Sequence, residues 1–130
     1  MPVQLNHTIV NARDHRASAT FLSEVLGLPA PEPYGPFMDV KLANGAELAY
    51  IQVGPGDEIT PQHYAFLVSE EEFDAIWGRI KDRGLDFYAD PHKDEPGEIN
   101  HHDGGRGLYW ADPDGHWLEI ITRPYGSGSS

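Results

Sequence analysis

The sequence predicts an α+β fold in which two βαβββ modules form a curved, cup-like mixed sheet with helices outside. Three observations predict it. First, two amphipathic helices each follow a short apolar strand that carries a histidine, LNHTIV (5–10) before the first and QHYAFLV (62–68) before the second. Second, the intervals agree: His7 stands 20 positions before Gly27, His63 stands 21 before Gly84, and each glycine is followed by leucine, Leu28 and Leu85. Third, NGAELAYI (44–51) aligns without gaps on DGHWLEII (114–121). A repeat of two is too short for a solenoid, so it points to two half-sheets that bury a shared face.

The elements follow in order. After the first strand, a helix runs from about Asp14 to Leu26, with Ala17, Phe21 and Val25 on one stripe and Gly27 as its left-handed stop. The loop PAPEPYGP (29–36) leads to the strand FMDVKL (37–42), and an Asn-Gly turn opens the next strand. The clearest helix spans Ser69 to about Arg83. Ser69 and Glu72 form a capping box, and Phe73, Ile76, Trp77 and Ile80 follow at i, i+3, i+4 and i+7. The long loop 90–106 has the length of a lid. The strand GLYWA (107–111), the turn DPDG (112–115) and a final strand close the second copy. The copies cover roughly 1–55 and 60–125 of a single domain 1–125, and Gly126–Ser130 has the composition of a flexible tail.

Bulk properties narrow the function. Hydrophobic residues make up 39% of the 130, with 14 glycines and 11 prolines, which suits a globular chain with many turns. There is no apolar run of membrane-spanning length and no secretory pattern at the N-terminus, so a cytoplasmic protein that does not engage a membrane is expected. The absence of cysteine removes disulfides, thiolate ligands and thiol nucleophiles. A net charge of −12, from 21 acids against 9 bases, speaks against nucleic acid and for a small-molecule partner.

The repeat also selects metal ligands. His7 and His63 occupy equivalent positions, and Glu119 is matched in the first copy by Ala49, which cannot bind a metal. The four corresponding positions are therefore His, Ala, His and Glu. Two imidazoles and one carboxylate suit non-haem Fe(II) and leave coordination positions open; Mn(II) fits the same ligands, and Zn(II) and Ni(II) are compatible. Strand alternation puts each ligand among apolar neighbours, where burial without a partner would be costly. Glu47, on the Ala49 face, is a possible fourth carboxylate or a pocket-lining residue.

With these residues in place, the chain resembles the vicinal oxygen chelate superfamily, which includes glyoxalase I, fosfomycin-resistance thiol transferases, bleomycin-binding proteins and type I extradiol dioxygenases. Asn100-x-His102, Leu108-Tyr109, the turn Asp112-Pro113-Asp114-Gly115 and Glu119 resemble the extradiol signature most closely. The resemblance implies that Glu119 is the carboxylate ligand. It also implies that Tyr109 hydrogen-bonds substrate or an oxygen-derived atom, and that His102 is a pocket histidine. A homodimer is implied too, because the larger extradiol enzymes have four modules where this chain has two. The segment GPGDEITPQ (54–62) lacks the further pocket histidine that those enzymes carry before the second ligand.

Three functional classes follow. The leading one is a metal-dependent oxygenase acting on a vicinal diol, a catechol or another bidentate oxygen compound. The second is a metal-dependent lyase or isomerase, or a fosfomycin-type thiol transferase. The glyoxalase I activity wants a ligand where Ala49 stands, and the transferase wants cations, for which Arg106 and Lys93 are the candidates. The third is drug sequestration, which would use the negative charge and rings such as Trp110 and Trp117. The other histidines receive lesser roles: His116 a hydrogen bond at its turn, His15 a solvated place in the first helical turn, and His92 and His101 places in the loop with Asp94 and Glu95.

Overall fold

The computed structural model describes residues 3–128. The chain divides into two compact units, Met1–Thr60 and Pro61–Ser130. The first contains β1 (His7–Ala12), α1 (His15–Leu26), β2 (Glu32–Tyr34), β3 (Phe37–Lys41) and β4 (Glu47–Gln52). Its sheet runs β1-β4-β3-β2, with β1 and β4 parallel and the other neighbours antiparallel. Val10, Ala12, Met38, Val40, Leu48 and Tyr50 bury one face, and α1 contributes Ala19, Leu22 and Val25 to the core.

The helix starts where Asp14 accepts a bond from the Ala17 N–H at 3.1 Å and stops at Gly27, whose φ of 73° belongs to the left-handed region. Its buried stripe differs from the expected one. Ala17 is exposed and Phe21 half-buried, whereas Ser18 and Ser23 are buried. Ser23 satisfies its hydroxyl on the Thr20 carbonyl at 3.1 Å, so a residue that looks polar in the sequence faces inward at little cost.

The expected loop 29–36 contains a strand. Edge strand β2 pairs Glu32, Pro33 and Tyr34 with Asp39, Met38 and Phe37. Pro33 is tolerated because an edge strand has a side that needs no N–H donor.

The second unit contains β5 (His63–Leu67), α2 (Glu70–Asp82), a short 3-10 turn (His102–Gly104), β6 (Gly107–Ala111) and β7 (Trp117–Ile121). Its sheet runs β5-β7-β6, again with one parallel pair and one antiparallel pair. Phe66, Leu108, Trp110, Leu118 and Ile120 form its buried face, and Phe73, Ile76 and Ile80 are the buried residues of α2.

The strand expected between helix and β6 is reduced to one residue, Tyr88, which exchanges two 2.9 Å backbone bonds with Tyr109. The reason lies in Asp90. Its carboxylate accepts the N–H groups of His92, Asp94 and Glu95 at 3.0, 3.1 and 2.8 Å. Those bonds commit the chain to a turn two residues after Tyr88.

The two parallel pairs share one register. His7 stands opposite Glu47 and Ile9 opposite Ala49; likewise His63 stands opposite Trp117 and Ala65 opposite Glu119. The repeat is therefore a repeat of strand pairing as well as of sequence.

The capping box of α2 is complete. The Ser69 N–H donates to Glu72 at 2.8 Å, and the Glu72 N–H donates to the Ser69 hydroxyl at 3.1 Å. These bonds, the one from the Ser69 backbone foremost, hold Glu72 below its ordinary carboxylate value of 4.5. A depressed carboxylate stabilises the fold above its unfolded pKa, and the contribution is lost as pH falls through the folded one. Ser69→Ala is expected to cost about 1 kcal/mol in urea denaturation at neutral pH. Glu72→Gln is expected to be less stable than the parent at pH 7, the two curves converging as pH falls below the ordinary value of 4.5.

Candidate metal centre

The site is set by strand alternation in the second unit. Because Phe66, Leu108, Trp110, Leu118 and Ile120 face the core, His63, Tyr109, Trp117 and Glu119 face the other side. Glu119 sits in the middle of that face, with Ala65 opposite on β5 and Tyr109 opposite on β6.

The start of β7 is fixed by the preceding turn. Asp112 accepts the N–H groups of Asp114 and His116 at 2.9 and 2.8 Å, and the Asp112 N–H returns to the His116 carbonyl at 2.9 Å. Burial pushes the Asp112 carboxyl up, with the bond from the His116 N–H opposing it. His116 is 1% exposed and its Nδ1 accepts the Gln62 N–H at 2.9 Å, so its ring ties the lead-in of β5 to the turn before β7.

Glu119 gathers three side chains. Its Oε1 lies 2.9 Å from His63 Nε2, and its Oε2 accepts the hydroxyl of Tyr125. The Tyr125 hydroxyl in turn lies 2.9 Å from that of Tyr109. Tyr109 stacks on Trp117 with ring centres 6.1 Å apart, and His63 meets its edge at 5.9 Å. Burial pushes both phenols above their ordinary value, with Glu119 adding to it, so both remain protonated hydrogen-bond donors at neutral pH.

The exposure pattern corrects one expectation. The Glu119 side chain is 2% exposed, but that of His63 is 46% exposed, and His7 is also exposed. The imidazoles stand on the face away from each unit's core, so only the carboxylate bears the cost of burial. Its partners are an imidazole and a phenol, with no lysine or arginine paired to it among the described residues. A buried carboxylate with this company suits a divalent cation, which would neutralise the charge and replace the shared proton. The 2.9 Å between His63 Nε2 and Glu119 Oε1 is also close to the roughly 3 Å that separates adjacent donors around an ion with bonds of about 2.1 Å.

The first unit presents a different surface. His7 hydrogen-bonds Asn6 through Nδ1 at 2.8 Å and lines a cavity of about 470 Å³ with Asp39, Glu47, Lys41, Phe37 and Ala49. Burial first, and Glu47 second, push the Asp39 carboxyl up. Among the described residues, no group of three or more His, Asp or Glu is arranged to hold a metal by itself. The structure thus brings His63 and Glu119 together with Tyr109, and places His7 in the other unit.

The remaining candidates separate clearly. His102 is exposed at the 3-10 turn, its ring centre 6.4 Å from that of Tyr125. His15 is half-buried rather than solvated, and Nδ1 lies 3.2 Å from Gln52. His92 and His101 are exposed. Arg106 is committed: it binds Glu70 at 2.7 Å and Asp74 at 2.8 Å, and lies 4.4 Å from the Phe73 ring centre. Lys93 sits 5.5 Å from the Trp117 ring centre. Tyr125 was missed in the sequence because it adjoins the glycine-serine tail. The available signal was an aromatic residue after a proline, six positions beyond Glu119, in a segment with no core face to fill.

The family model described as the Glyoxalase/Bleomycin resistance protein/Dioxygenase superfamily matches residues 4–120. The chain belongs to this superfamily.

Among solved structures of glyoxalase-fold proteins, Oxidase ChaP-H1 is 59% identical, covering 96% of this chain and 99% of its own, with a TM-score of 0.93. Oxidase ChaP-H2 is 60% identical, covering 99% and 100%, with a TM-score of 0.95. Glutathione transferase FosA of Serratia marcescens is 31% identical over 123 residues, 89% of this chain and 78% of that protein.

Within this superfamily member, His116 holds the site's two parallel strands in register and stands apart from the ligands. His116→Ala leaves the Gln62 N–H without its acceptor, and the expected loss in thermal or chemical denaturation is about 1–3 kcal/mol.

Proposed function

We propose that this chain is a divalent-metal-dependent oxygenase of extradiol type, acting on a small catechol-like, vicinal-diol or other bidentate oxygen substrate. The observation that carries the reading is Glu119, a buried carboxylate held by an imidazole and a phenol, with no lysine or arginine paired to it among the described residues. The proposed ligands are His63, Glu119 and, from its matching place in the repeat, His7. The donor set suits Fe(II) or Mn(II), with Zn(II) and Ni(II) also compatible. When bound, the metal would act as a Lewis acid on two substrate oxygens and lower the pKa of a substrate hydroxyl.

The chain's own residues supply the rest. Tyr109 stands beside Glu119 with its hydroxyl protonated and donating to the Tyr125 oxygen; turned toward a bound substrate, it would donate that bond to a developing oxyanion instead. His102, its ring centre 6.4 Å from that of Tyr125, is the proposed acid-base group. Trp117 backs the Tyr109 ring and limits its motion. The similarity to two proteins named as oxidases supports the oxygen-consuming reading. We propose a homodimer as well, since Leu5, Ile9 and Leu67 are 70%, 50% and 62% exposed, the latter two on the faces that carry His7 and His63.

The similarity to FosA favours a second reading, thiol transfer to a phosphonate. Arg106 speaks against it, because its guanidinium is already spent on Glu70 and Asp74. A non-catalytic drug binder would have no use for the Glu119 cluster.

Oxygen uptake by Fe(II)- or Mn(II)-loaded protein with a panel of catechols, set against fosfomycin turnover with glutathione, decides between the readings. Uptake confined to the catechol arm is expected, together with a loss of at least about 100-fold in His63→Ala and Glu119→Ala. Turnover of fosfomycin alone would reverse the ranking. A protein that takes up neither metal would end the Fe(II) and Mn(II) oxygenase reading.

A further inference from the structure

Tyr125 lies on segment 122–128, which follows β7 and carries its phenol back to Glu119. The segment is fixed at both ends. At its start, Thr122 receives the Arg106 N–H on its hydroxyl at 2.8 Å and donates its own N–H to the Arg106 carbonyl at 3.0 Å. At its end, the Gly128 N–H reaches Asp103 Oδ1 at 3.3 Å, and a Cβ at Gly128 would overlap the Asp103 backbone. Between them, a turn closes through the Ser127 N–H on the Pro124 carbonyl at 3.1 Å.

Packing does not explain where Tyr125 sits, since the residue is 55% exposed. What its position achieves is a division of the carboxylate: one Glu119 oxygen faces His63 and the other receives the Tyr125 hydroxyl.

Resting on the metal reading above, we propose that Tyr125 is a positioning residue of the metal site. By donating to Oε2 it leaves Glu119 only Oε1, on the His63 side, with which to bind a divalent ion. A carboxylate can bind an ion through one oxygen or two. Binding through one leaves a further position for substrate or oxygen, which an oxygenase needs and a purely structural metal does not. Tyr109 takes part as well, because its hydroxyl meets that of Tyr125 and its phenol also interacts with Glu119.

The test uses Mn(II) alone as the probe, with water-proton relaxation counting the exchangeable waters on the bound ion in wild type and Tyr125→Phe. Thermal melting confirms that the variant folds, which the exposure of the ring leads one to expect. Removing the hydroxyl frees Oε2, so Tyr125→Phe is expected to hold Mn(II) several-fold more tightly with about one water fewer. Equal water counts and equal affinity in the two proteins would overturn the proposal while leaving the metal site standing. A wild-type protein that binds no Mn(II) would overturn both.

Discussion

The second unit is organised around one buried negative charge. Glu119 is 1% exposed at the centre of a sheet face, and a charge so placed must be neutralised or hydrogen-bonded. Every neighbour answers to that requirement. Ala65 is small enough to leave room beside it, Tyr109 and Trp117 wall off water, and His63 and Tyr125 each take one oxygen. The Asp112 turn and the His116 ring lie behind it and fix where β7 begins, and therefore which residue of β7 faces outward. A one-residue slip would send Glu119 into the core and Leu118 out.

The same pairing register yields a different result in the first unit. Ala49 replaces the carboxylate, Asp39 replaces the tyrosine across the strand, and the space left holds a cavity lined by His7 and Glu47. Duplication supplies the scaffold twice, and single side chains decide what each copy does. The copies even differ in completeness. Edge strand β2 of the first unit is represented in the second by isolated bridges from Tyr88 and Asn100 to β6, because Asp90 draws the chain into a turn.

Much of this was legible in the sequence. Both helices, with Gly27 and Gly84 at their ends, follow from periodicity and stop signals, and the equivalence of His7 with His63 follows from the repeat. The illegible parts have specific causes. Ser23 faces inward because its hydroxyl bonds a backbone carbonyl of its own helix, which no hydropathy pattern reveals. Glu32–Tyr34 forms a strand despite Pro33 because an edge requires fewer donors. The exposure of the two imidazoles depends on which face meets the core, a tertiary fact. Tyr125 acts through a return of the chain that depends on a backbone contact between Gly128 and Asp103, far apart in sequence.

A ligand set of this kind specifies a metal more narrowly than a reaction, so the reaction must be read from what surrounds it. Here the surroundings are aromatic and hydroxylic. Arg106 is locked to two carboxylates and lies over a phenyl ring, and Lys93 lies near the Trp117 ring. To recruit Arg106 for an anionic substrate would free a loop that the guanidinium ties to α2. The chain's acidity adds a general bias against phosphonates and other anions. The repeat carries the same contrast: His7 and His63 are equivalent by position, but His63 bonds the Glu119 carboxylate and meets the Tyr109 ring, whereas His7 bonds Asn6.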